Sequence, residues 1–112
     1  MNKVSLTALT REHLAGAERA SSQRSAHTVY GGHEHVLRQT LVALTAGQKL
    51  ADHENPGEAT VHVLQGRVRL IAGQDSWEGS SGDLIIVPNA RHSLEALENS
   101  AILLTVAKVA SS

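Results

Sequence analysis

Seven histidines and no cysteine occur in the 112 residues, so imidazole is the side chain here best suited to metal or proton chemistry. The missing cysteines exclude disulfide frameworks, iron–sulfur clusters, thiolate zinc sites and cysteine nucleophiles. His53 and His92 are the leading candidates. In His92-Ser93-Leu94-Glu95-Ala96, the period of a strand puts His92 on the same face as Leu94 and Ala96, which is the apolar, inward face. His62 lies between Val61 and Val63 and is expected on the outer face, at a subunit contact, unless a register change turns it inward as a ligand. His33 and His35 are spaced to point the same way on a strand, but they follow Gly31-Gly32 and read as a solvated loop. His13 falls in a helical segment, and His27 reads as a surface or boundary residue. No G-x-S-x-G nucleophile elbow and no phosphate-cradling glycine pattern is present.

The elements that would position these residues are of two kinds. Leu6, Leu9, Leu14 and Ala17 recur at helical spacing, which predicts a short amphipathic helix over 8–20, with Thr10 capping a turn that begins at Arg11. Residues 1–25 are thus a helix and polar connector, and 26–112 a single β domain. The expected strands are Ala26–Tyr30, His35–Thr45, Ala59–Gln65, Arg67–Ala72, Leu84–Val87, His92–Ala96 and Ile102–Lys108, separated by glycine, proline and asparagine turns. Alternation sends Val61, Val63, Val68 and Leu70 inward. Nothing between the strands can form a crossover helix, so the class is all-β, a sandwich or barrel, and not a doubly wound α/β sheet.

Composition narrows the function. Ten basic residues against eleven acidic ones give a net charge of −1, too little cationic field to gather nucleic acid or an anionic membrane. Tyr30 and Trp77 are the sole aromatics, so bases have almost nothing to stack on. No apolar run approaches the ~20 residues of a membrane-spanning helix. The opening Met1-Asn2-Lys3-Val4-Ser5 leads into no apolar signal segment, so the expected location is cytoplasmic.

Two segments resemble the paired signatures of the cupin superfamily. The first runs from Gly47 through His53, Asn55 and Ala59 to Gly66, where the family pattern has glycine, two histidines, glutamate and a closing glycine. The second runs from Gly82 through Pro88 to His92. The resemblance covers about residues 37–107. It implies a double-stranded β-helix, a jelly-roll barrel, preceded here by the short N-terminal α-helix. In that family a divalent metal sits near the barrel axis on three histidines and a glutamate.

Only His53 and His92 carry over as ligands. Asn55 stands at the second histidine position and Ala59 at the glutamate position. Glu58 would face inward only through a bulge after Pro56-Gly57. His53 and His92 are therefore either metal ligands or members of a metal-free polar pocket. In the first case, one Fe, Mn, Ni or Zn ion would be held with a further ligand drawn from Glu58 or His62, and the protein would be a metal-dependent cupin enzyme of dioxygenase or isomerase type. In the second it is a binding barrel whose cavity is lined by His53, Asn55, Val61, Val63, His92, Leu94 and Gln39. A third reading gives the barrel mainly a role in partner contact. Arg38, Gln39 and Arg91 could line the cavity mouth and hold a carboxylate or phosphate. A homodimer is expected, burying strand positions such as Leu64 and Leu103.

Overall fold

Ser5 opens the first element: its hydroxyl accepts the Ala8 N–H at 3.1 Å and caps helix α1, Leu6–Arg19. The helix starts earlier than the sequence pattern predicts, because Ser5 caps it and Thr10 is buried in its second turn. The computed structural model describes residues 2–53 and 57–108, with the backbone alone at 52 and 53. Nine strands follow the helix: β1 Arg24–Tyr30, β2 Leu37–Leu44, β3 Lys49–His53, β4 Gly57–Gln65, β5 Arg67–Ala72, β6 Asp75–Ser80, β7 Leu84–Ile86, β8 His92–Ala96 and β9 Ser100–Lys108.

The strands make two antiparallel sheets, one ordered β1-β2-β9-β4-β7 and the other β3-β8-β5-β6. Each sheet turns one face inward. From the first come Val42, Leu44, Ala59, Val61, Val63, Ile85 and Ile102; from the second come Val68, Leu70, Leu94 and Ala96. The expected alternation of Val61, Val63, Val68 and Leu70 is what the strands show. Gly79 marks where β6 closes against the other sheet, since a Cβ there would lie 3.0 Å from the Ile85 side chain.

Strands β3 and β6 are absent from the sequence-based expectation. Asp75-Ser76-Trp77-Glu78-Gly79-Ser80 is mostly polar and is exposed except at Gly79, so no apolar alternation marks it. Pairing with β5 along its whole length makes it a strand.

The outer faces of the two sheets differ in character. Across the four-stranded sheet, Lys49, Glu95, Arg69 and Glu78 occupy one register row, with signs alternating from strand to strand. Adjacent members pair at 3.6–3.8 Å, and Arg67 extends the ladder to Glu98. On the five-stranded sheet the outer face is apolar or neutral apart from Glu58, and α1 packs over Leu41, Ala43, Ala101 and part of β4. Leu103 is accordingly buried within a single chain, and Leu64 lines the groove between α1 and β4.

Candidate functional site

At one end of the sheets, β3 and β8 bring His53 into register opposite His92. The two strands are staggered between Leu50 and His53, where β3 carries one residue more than β8. His92 is 3% exposed and alternates with half-buried Ser93 and Glu95, as the sequence pattern predicts. Its Nδ1 lies 2.9 Å from the Ala90 carbonyl oxygen. A carbonyl can only accept, so the ring carries its proton on Nδ1 and, when neutral, a lone pair on Nε2. The turn before β8 thereby fixes both the orientation and the tautomer of this imidazole.

The opposing wall belongs to the five-stranded sheet. Arg38, Val106 and Ala59 form one row on its inner face, β2 to β9 to β4. Val87 adds to this layer by donating its N–H to the Ala59 carbonyl at 3.0 Å. Beneath it, Thr40, Leu104, Val61 and Ile85 face Leu50, Leu94, Leu70 and Trp77, which occupy the next row of the other sheet. Deeper still lie Val42, Ile102 and Val63 with Val68 and Ala96. The interior is thus layered: polar groups at one end above two apolar tiers. His92 and the exposed Arg38 stand at this end with Ala59, Val106 and Val87, and the register position of His53 lies beside His92.

This placement separates the residues expected at the site. His92, Val61 and Leu94 fall in the top two layers, and His53 holds the register position beside them. Val63 is fully buried in the third layer, sealed by Ile102 and the close approach of Gly79. Gln39, Glu58 and His62 all stand on the outer face of the five-stranded sheet. Gln39 donates to the Thr105 hydroxyl at 3.2 Å, Glu58 is exposed across from Ala107, and His62 pairs with Leu103. The strand after Pro56-Gly57 keeps its alternation, with Ala59 buried and Glu58 out, so neither Glu58 nor His62 replaces a missing ligand. Asn55 lies outside the described residues. Among the described residues, no three His, Asp or Glu side chains gather as metal ligands.

Two inner-face residues are less visible in the sequence. Arg38 reads as one of several polar residues near the mouth, and its register with Val106 separates it from Gln39. Trp77 shares the inner face with Leu70, two positions from the conformationally informative Gly79, and is 44% exposed at the sheet edge. The other imidazoles are elsewhere. His13 stacks on His27 with ring centroids 5.5 Å apart, and its Nδ1 is 2.6 Å from the Ser25 hydroxyl. His35 packs beside Tyr30 on the outer face of the sheet. No helix among the described residues is long and apolar enough to cross a membrane.

No family model and no curated protein matches the chain. Solved structures do. A conserved protein of unknown function from Streptococcus pyogenes is 28% identical, with a TM-score of 0.73 over 82% of this chain and 80% of that one. A cupin superfamily protein from Desulfitobacterium hafniense aligns with a TM-score of 0.77 at 15% identity, over 96% of this chain and 92% of its own. KdgF from Halomonas sp. gives 0.62 at 21% identity, over 77% and 82%. The wide coverage at low identity, together with the two paired sheets and the N-terminal helix, means that this chain has the fold of a small cupin domain.

Proposed function

We propose that the two sheets close as a jelly-roll barrel and that its open end binds a small, mainly apolar molecule with an anionic group, without a metal and without turnover. The observation that carries this reading is the wall that the five-stranded sheet sets opposite β8 and His92. Ala59, Val106 and Val87 are apolar where a divalent ion would need a carboxylate, and the described residues that could substitute lie on the outer face. An apolar lining with a few placed polar groups is the usual make-up of a ligand pocket. The Arg38 guanidinium and the His92 imidazole suit a carboxylate or phosphate, and Leu94, Val61 and Leu104 suit an apolar body.

The alternative is a divalent-metal-dependent cupin enzyme, of dioxygenase or isomerase type, using His53, His92 and one further ligand. One observation favours it: a ring whose Nδ1–H is anchored on a backbone carbonyl is oriented as metal-bound histidines generally are. The donor set argues the other way, because two imidazoles fall short of the three protein ligands that catalytic sites keep.

Elemental analysis of protein purified without an affinity tag separates the two. The binding reading expects substoichiometric Fe, Mn, Ni and Zn. A stoichiometric metal that disappears in both His53→Ala and His92→Ala would overturn it.

A further inference from the structure

On the outer face of the five-stranded sheet, an open groove of about 680 Å³ runs between the segment that leads into α1 and the joined ends of β1 and β2. Two local features of the chain build it. Between Thr28 and Tyr30, β1 carries one residue more than β2, so Tyr30 pairs with Gln39. Regular alternation would set Tyr30 opposite Arg38 on the inner face; the extra residue, Val29, turns it to the outer face instead. Gly31 then passes tightly against β2: its φ is +118°, and a Cβ there would lie 2.7 Å from the Leu37 carbonyl oxygen. The chain reverses at this point, and Lys108 Nζ donates to the Gly32 carbonyl at 3.0 Å. His35 thereby comes to rest with its ring centroid 5.1 Å from that of Tyr30.

The lining is apolar with hydrogen-bond donors set into it. Val4, Tyr30, Val36 and Leu37, all exposed, gather along it, and Leu103 lies on its floor. Gln39, also on the floor, spends an amide N–H on the Thr105 hydroxyl at 3.2 Å. The Lys3 ammonium, the Tyr30 hydroxyl and the His35 ring N–H reach the same groove, and none of them makes a hydrogen bond or ion pair with another described residue. No described residue that lines the groove is acidic.

From this we infer that the groove is a second ligand site, separate from the space between the sheets, and that it takes a medium-chain fatty carboxylate. Charge selects the headgroup: a cation and two neutral donors without an acidic neighbour complement a carboxylate. Length selects the tail. Leu37 and Leu41, the register partner of Leu103, are four residues apart on β2, which is about 14 Å of strand and close to an extended ten-carbon chain. Shape excludes a broad partner. The groove is concave and its volume falls within the ~300–1,000 Å³ of small-molecule sites.

The test is fluorine NMR on protein carrying 3-fluorotyrosine and 5-fluorotryptophan, each preparation checked for native circular dichroism. Tyr30 and Trp77 are the only residues of their kinds, so each gives one signal, the first in the groove and the second on the inner face. Hexanoate, octanoate and decanoate should move the Tyr30 signal, with affinity rising roughly threefold per methylene. Decyltrimethylammonium, the same chain with the opposite charge, should bind at least about tenfold more weakly than decanoate. Lys3→Glu and Val36→Asp, both at exposed positions, should each weaken decanoate about tenfold. Affinity independent of chain length, equal binding of the cationic amphiphile, or unchanged binding by both variants would overturn the inference. So would decanoate moving Trp77 and not Tyr30, or a Tyr30 signal that responds to protein dilution and not to decanoate. If no carboxylate moves His92 while decanoate moves Tyr30, the interior reading falls and the groove stands.

Discussion

Ala59 pairs with Val106 across β4 and β9 on the inner face of the five-stranded sheet, and its carbonyl holds the Val87 N–H at 3.0 Å. The position is 5% exposed and apolar on its β9 side. A carboxylate introduced by Ala59→Glu would be buried in an apolar row, so metal-free stability should fall by about 2–4 kcal/mol. The same carboxylate would complete a three-donor set with His53 and His92. Zinc should therefore raise the denaturation midpoint of the variant and leave the wild type almost unchanged. Equal zinc stabilisation of both proteins would show that the native set already holds the ion.

His92 is buried and hydrogen-bonded, and its removal should be felt in stability as well as binding. His92→Ala leaves the Ala90 carbonyl without its 2.9 Å donor and opens space above Leu94. A loss of about 1–3 kcal/mol in urea denaturation is expected. His62→Ala, on the outer face, should cost under about 1 kcal/mol. Reversal of that order would place the wrong histidine inside.

The turn between β4 and β5 has room for glycine only. Gly66 has φ +91°, and a Cβ there would meet the Ser100 hydroxyl and the Asn99 carbonyl oxygen, the latter at 2.5 Å. That hydroxyl is occupied, accepting the Arg67 N–H at 3.0 Å. Gly66→Ala should cost about 3 kcal/mol or more. Gly47, with φ +90° and open space around it, should cost about 1–2 kcal/mol for the left-handed conformation alone. Equal losses at the two sites would remove the steric part of the explanation.

Thr10 is buried on the inner side of α1, and its hydroxyl has no hydrogen-bond partner among the described residues. Thr10→Val keeps the shape and removes the unmet polar group, so it should stabilise the fold by about 1 kcal/mol. A destabilised variant would mean that the hydroxyl is satisfied by water.

How much of this was legible in the sequence follows from where each residue's partners lie. The alternation of Val61, Val63, Val68 and Leu70, and the inward face of His92, depend on neighbours along one strand and could be read directly. The helix start is ambiguous in sequence because Thr10 and Ser5 are both good caps, and only tertiary packing decides that Thr10 is buried. Strand β6 leaves no signal in the sequence because β5 supplies its pairing while its own residues are mostly polar. Gln39 and Arg38 illustrate the limit most simply. They are adjacent and both polar, and which one faces the interior depends on the register of β2 against β9, a relation between segments far apart in the chain.

The proposed site requires that the His92 imidazole and that of His53, its register partner, share one space open to small anions. Histidine side-chain NMR, recorded while a panel of small aliphatic and aromatic carboxylates is titrated in, reads that space directly. At least one compound should move the His53 and His92 resonances together, leave His13, His27 and His62 in place, and bind about tenfold more weakly to Arg38→Ala. Movement confined to the outer-face rings, or a shift of His92 that leaves His53 untouched throughout the panel, would contradict it.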